Sequence, residues 1–434
     1  MSKATYAITK KEIEYVAIGF ALSLIHWSIC FVYFAVLLFF LKQGVVGCVK
    51  ALLIMTTRGI LSTAVSSGLN SIVQAEKWAL IFIFVLYILF SKQTLRKSLA
   101  VSNTQMFVIV FMVYCIITAL FTSSYPVVSM FKAVSYAVPF CGVLLAVSIT
   151  NIKFDWVNYL FSLMTPVIIA SAITMPFSRF KIVNESFQGV INHPNLFGIF
   201  GAIYILVAIY NIMNHPERQH WSAFVLVAVT FVMIYLSESR TGMFSALIML
   251  IIYFVSISTK TKFKIFAIAV GVIVIIGIVF IMNPSFLSEF TASMDKFVTK
   301  RDQELGILDS REMLIQASTD KYHNNELFGS GFAVPFIRGV RDYQFSFSIT
   351  YETGNLPTAV LGDCGIIGSI IFYGYMLYIF LQTKRKKWIL FFTPLIVSLG
   401  EQAFFATNNV AIYYYLFYGI CLSSENSEDR LNAS

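Results

Sequence analysis

Charge is what this 434-residue chain has least of: Asp, Glu, Lys and Arg together make up 12% of it. A soluble domain carries roughly 25%, so most of this surface faces something other than water. That deficit excludes a large soluble helical protein, whose helices would need polar faces these stretches lack. Cysteine and histidine are scarce too. The six cysteines (Cys30, Cys48, Cys115, Cys141, Cys364 and Cys421) fall in or beside apolar segments with no CxxC or metal spacing, and read as small hydrophobes. The five histidines (His26, His193, His215, His220 and His323) are scattered, and no helix carries ligands at metal spacing. No metal and no cofactor is expected. Internal repeats are also missing, which argues against the paired halves of many secondary transporters.

Hydrophobic residues make up 58% of the chain. Runs near the length of a membrane span recur throughout, at 14–40, 78–90, 105–122, 127–149, 157–176, 196–213, 221–236, 243–257, 263–282, 358–381, 389–404 and 411–422. The stretch 45–73, with Lys50 and Arg58 inside it, is ambiguous between a span and a re-entrant or interfacial segment. The expected fold is all-α: a polytopic transmembrane helical bundle of about twelve spans with one large external loop. It divides into N-terminal spans (1–282), the loop (283–357), and C-terminal spans with a tail (358–434).

The net charge of +9 does not indicate nucleic acid, because the basic residues sit in short loops rather than on an amphipathic surface. Three loops carry them: Lys92, Arg96 and Lys97; Lys260, Lys262 and Lys264; and Lys384 through Lys387. Basic loops are retained in the cytoplasm. Even numbers of spans separate the three, so all can lie inside, and the loop 283–357 then lies outside.

With that orientation, the unusual polar residues gather at the outer ends of spans. Gln188–Asn195 (QGVINHPN) leads into a descending helix, and Ser237–Gly242 (SESRTG) forms an outer turn. The large loop holds Asp309–Arg311, Phe328–Phe332 (FGSGF) and Glu352–Asn355, with Asp363–Gly365 just beyond it. Lys132 lies about 9 Å down a helix from its outer end, counting 1.5 Å per residue. Ionisable groups at membrane depth are functional hypotheses by default, and several cations converging on one face suit an anion such as a diphosphate. His193 and Asn195 can equally be helix caps. Gly329, Gly331, Gly354 and Gly365 read as turn and close-packing positions.

In their order and topology, HPNLFG, SESRTG, LDSR, GSGF and GN followed by DCGIIG resemble the O-antigen ligase and Wzy-type polymerase superfamily, especially its exopolysaccharide and O-antigen polymerases. SSYPVVSMFKAVSY around Lys132 adds to the likeness, which covers 123–368. The resemblance implies a bacterial inner-membrane glycosyltransferase with its active face in the periplasm. Its reaction would be metal-independent, inverting transfer from an undecaprenyl-diphosphate-linked oligosaccharide. Expected partners are membrane lipids, a flippase and a chain-length regulator.

By the resemblance, Arg240 and Arg311 match the diphosphate-contacting arginines, with Lys132 in support. For the base, Glu352 comes first, then Glu238, Asp363 and His193. Asn195 and Asn355 complete the expected substrate-binding set. Gly354 and Asn355 stand where ligases of the superfamily carry a histidine–asparagine pair, which favours a polymerase over a ligase. A transporter or flippase for the same lipid-linked glycan is the alternative of a different class.

Overall fold

The computed structural model of the protein describes residues 10–66, 68–93, 98–181, 186–214, 221–256, 312–346, 349, 351, 353–407 and 409–423. The span expected at 263–282, the basic loop at 260–264, Arg311, Glu352 and the C-terminal tail lie outside the described residues.

The described residues are helical, with two isolated bridges (Leu61–Ile191 and Lys181–Phe187) in place of strands. In chain order the helices are α1 (Lys10–Ser23), α2 (Trp27–Val36), α3 (Gly44–Gly59), α4 (Ser71–Phe90), α5 (Leu99–Thr122), α6 (Pro126–Thr150) and α7 (Trp156–Thr174). There follow α8 (Pro194–Asn214), α9 (Trp221–Leu236), α10 (Arg240–Ser256), α11 (Glu312–Asn324), α12 (Leu356–Gln382), α13 (Trp388–Gly400) and α14 (Ala411–Leu422). Polar side chains set several starts: Asn70, Ser98, Asp155 and Asn355 each accept from the amide three residues on. Among the described residues, seven helical segments, from Trp27–Gly59 to Leu356–Gln382, are long and apolar enough to cross a membrane. All six cysteines are buried and unpaired by disulfides, as small hydrophobes would be.

The N-terminal region departs from the expected single span at 14–40. It folds back as a hairpin of α1 and α2, because His26 interrupts the run and caps α2 by accepting from the Ser28 amide at 3.3 Å. Gly19 lets the Tyr33 ring close against α1. A 3₁₀ stretch, Leu37–Gln43, carries the chain on to Gly44, whose φ of +65° turns it into α3. The ambiguous stretch 45–73 is helical only to Gly59, at the end of α3, and again from Ser71, where α4 begins; nearly all of α3 from Val45 to Arg58 is buried. Lys50 is held inside by Gln43 Oε1 at 3.2 Å and lies over the Phe154 ring.

Hydrogen bonds define two ends of the bundle. At the loop end, Arg58 Nη2 donates to the Ser23 carbonyl (2.9 Å), Ser62 N to Val190 O (2.8 Å) and Ser124 Oγ to Ile337 O (3.1 Å). At the opposite end, Lys387 Nζ donates to Ile420 O (2.9 Å) and Asn151 Nδ2 to Ser423 Oγ (3.0 Å). The basic run Lys384–Lys387 therefore lies at the end away from the external loop.

The C-terminal pair is short. Helix α6 has 25 residues, but α13 has 13 and α14 only 12. At 1.5 Å per residue, α14 climbs about 18 Å beside an α6 of about 37 Å. Their opposite ends are level at Asn151 and Ser423, so α14 stops near the middle of its neighbour. The span expected at 389–404 accordingly ends at Gly400, and the chain at 401–407 and 409–410, between the two helices, is non-helical. Thr407 Oγ1 donates to Ser135 O at 2.8 Å, about 14 Å in from the start of α6 at helical rise. Such backbone is tolerated at membrane depth only where protein buries it or it lines a wet cavity. Here Phe404, Thr407 and Val410 are buried, and Phe405 packs on Phe332 of the external loop at 4.8 Å.

Candidate active site at the loop end of the bundle

Helices α8 and α10 both begin at the loop end and run side by side. Small residues allow this: Gly198 faces Ser239, and Gly242 lies on the backbone of Gly198, so that a Cβ on either glycine would meet atoms at 2.0–2.5 Å. The turn before α10 places Glu238 at φ +52°, and Ser239 Oγ caps the helix by accepting from Gly242 N at 3.2 Å. Arg240 is then the first residue of α10, half-buried. A cation gains nothing from this position, because the helix dipole is positive at its N-terminus. What the position does provide is a guanidinium beside two helix N-termini, a combination that binds anions.

Three other residues expected at the site, Glu238, His193 and Asn195, gather around this turn. Glu238 Oε2 accepts from Ser186 Oγ at 3.0 Å. His193 caps α8, its Nδ1 accepting from Asn195 N at 3.2 Å. Asn195 Nδ2 donates to Glu401 Oε1 at 2.9 Å. Gly400, next in the chain to Glu401, abuts the Thr241 side chain. Three segments distant in sequence thus meet: 193–195, 238–242 and 400–401. Glu401 was missed by sequence reasoning because it was absorbed into an apolar run. An acidic residue inside an expected span was the signal that could have found it.

A second polar cluster holds residues 325–346 and Ile349 to the bundle. Helix α12 breaks at Gly365 (φ +63°), and the loop backbone docks into the break. Ser330 N donates to Gly362 O, Gly331 N to Asp363 O, Ile366 N to Glu326 O and Ile367 N to Leu327 O. A Cβ on Gly329 would lie 2.3 Å from Asp363 O, and one on Gly365 2.5 Å from the Leu327 backbone. The GSGF and DCG motifs are therefore two halves of one backbone contact, the close-packing role read from their glycines.

Two lysines secure this contact. Lys321 of α11 pairs with Asp363 Oδ1 and donates to Gly331 O (2.6 Å) and Val334 O (2.7 Å). Asp363 Oδ2 accepts from Ala333 N at 2.8 Å. Lys132 of α6 donates to Ala333 O (2.6 Å) and Ile349 O (3.0 Å). Two of the three ammonium donors of Lys132 thus go to loop carbonyls. Asn355 spends its side-chain oxygen capping α12, accepting from Thr358 N at 3.0 Å. Phe332 and Phe405 link this cluster to the 401–407 segment.

A multi-pass helical membrane protein with its polar residues gathered at one end, around an arginine set between helix N-termini, is suited to an anionic substrate held at the membrane surface. Residues 223–373 match the family model described as O-antigen ligase. The match runs from α9 into α12 and takes in the Ser237–Gly242 turn, Arg311, the docked loop and Asp363. The resemblance read from the motifs is thereby supported, and it points to a membrane enzyme of the O-antigen ligase/polymerase type. Lys132, His193, Asn195 and Glu401 lie outside the matched stretch and join it only in the fold. No curated protein matches the chain.

Proposed function

We propose that this protein is an inner-membrane polysaccharide polymerase that joins undecaprenyl-diphosphate-linked repeat units at the periplasmic face by metal-independent, inverting glycosyl transfer. The observation that carries the reading is the seat of Arg240, which lies inside the family-matched stretch as the first residue of α10, where that helix packs against the start of α8.

In this mechanism the acceptor oxygen attacks the anomeric carbon of the donor while the bond to the diphosphate oxygen breaks. Charge develops on the leaving diphosphate, and fixed donors aimed at it lower the barrier. Arg240 and the helix N-termini supply such donors, and Arg311 supplies a second guanidinium. The Lys132, Lys321 and Asp363 cluster positions the loop over the bundle, so that acceptor and donor are held in line.

The description of the matching family favours a second reading, transfer of a finished glycan to a different acceptor. Purified protein in vesicles, given polyprenyl-diphosphate-linked repeat units, separates the readings by product. Longer lipid-linked glycan supports the polymerase, and glycan joined only to an added lipid A-core acceptor supports the ligase. Movement across the bilayer without any new linkage supports a transporter and sinks both.

A further inference from the structure

We propose that Glu401 is the proton acceptor for the attacking hydroxyl, and that the non-helical segment 401–407 forms the floor on which the acceptor sugar sits. The proposal rests on the glycosyl-transfer reading and assigns it a base.

Four observations carry it. Glu401 stands at the point where α13 stops short, so its carboxylate is placed within the bundle rather than in a surface loop. A carboxylate at that depth is costly unless it is used. Its side chain is oriented by a hydrogen bond from Asn195 on the first turn of α8. Gly400 lies against the Thr241 side chain, so the chain at Glu401 meets the turn that carries Arg240, where the leaving group would be held. Finally, the Tyr414 hydroxyl, fully buried on α14 and within electrostatic reach of Glu401, has no hydrogen-bond partner. A buried hydroxyl left unpaired is unfavourable, and a sugar hydroxyl beside Glu401 would satisfy it.

Each earlier candidate within the described residues has a bonding partner of its own. Asp363 is paired with Lys321, His193 caps α8, and Glu238 accepts from Ser186. Glu352 lies outside the described residues. On the elements packed against Glu401, the titratable groups nearest these contacts are His193, Glu238, Arg240 and Tyr414.

The step balances without a further reagent. The acceptor O–H bond breaks and its proton passes to the Glu401 carboxylate. The oxygen forms the bond to the anomeric carbon, and the diphosphate leaves with the electron pair of the broken C–O bond. Water then takes the proton from Glu401.

The test uses the full-length protein in vesicles with polyprenyl-diphosphate-linked repeat units extracted from the producing cells. Turnover is measured across pH and donor binding is measured separately. Glu401→Gln is expected to lose about a hundredfold or more in turnover, to keep wild-type donor affinity, and to lose the fall in rate on the acid side. Asn195→Ala, which keeps the carboxylate but releases it, should lower turnover less and shift that acid limb. If Glu401→Gln fails to fold, the shift in Asn195→Ala and in Glu401→Asp carries the test, and an unmoved limb in both overturns the assignment. Transfer by Glu401→Gln at the wild-type rate and pH profile overturns the base while leaving the polymerase intact. No transfer by the wild-type protein overturns both.

Discussion

Lys321 on α11 and Asp363 on α12 form an ion pair in which both side chains are 1% exposed. The pair is the centre of the loop dock, since its two members also hold Gly331 O, Val334 O and Ala333 N. It connects the polar helix α11 to α12, one of the helices long and apolar enough to cross a membrane.

Removing one member leaves an uncompensated charge in the interior, which costs about 3–5 kcal/mol, whereas replacing both with apolar groups can be neutral. Lys321→Met should therefore lower the melting temperature in detergent and expose the 325–346 segment to protease. The double variant Lys321→Met/Asp363→Leu should recover part of that loss. Equal damage from single and double variants would show that the pair is not what pins the loop.

Arg240→Ala should abolish or nearly abolish polymer formation while insertion and protein level stay normal, because the residue begins a helix without capping it. Arg240→Lys should restore only part of the activity, since an ammonium cannot form the two-pronged contact of a guanidinium with phosphate. Arg311→Ala should match Arg240→Ala. Glycan length on a gel reads all three, and wild-type lengths from Arg240→Ala would refute its role at the diphosphate.

Gly329→Ala and Gly365→Ala should each disturb the dock more than an ordinary loop substitution. Both residues have positive φ and would drive a Cβ into facing backbone that cannot rotate away. Backbone strain of this kind costs about 1–3 kcal/mol before the clash is counted. Gly339→Ala is the control, since it shares a φ of +78° but meets nothing within 4 Å. A smaller loss for Gly329→Ala than for Gly339→Ala would contradict the docking geometry.

Cysteines placed at Tyr343 and Gln344 should react with a membrane-impermeant maleimide from the periplasmic side. Cysteines at Ser91 and Lys386 should react only after the membrane is opened. The native background is low because all six cysteines are buried. Labelling of Lys386→Cys alone in sealed cells would invert the orientation and remove Arg240 from the face where flipped donors arrive.

The sequence determined by itself that the chain is a helical membrane bundle, because hydrophobic runs near the span length leave few other structures possible in lipid. It also located Arg240 and the GSGF and DCG motifs, whose residue types are unusual at the ends of apolar runs. Three things were decided by tertiary structure alone. The run at 14–40 became a hairpin because one histidine caps a helix in its middle, which hydropathy does not register. Lys132 and Asp363, read as facing a substrate, bond the docked segment instead: the Lys132 acceptors Ala333 and Ile349 lie 201 and 217 residues on, and the Asp363 partners Ala333 and Lys321 lie 30 and 42 residues back. Glu401 joined the site because two helices are too short to cross the bilayer, and a carboxylate counted within an apolar run acquires meaning only when Asn195, from 206 residues earlier, is brought against it.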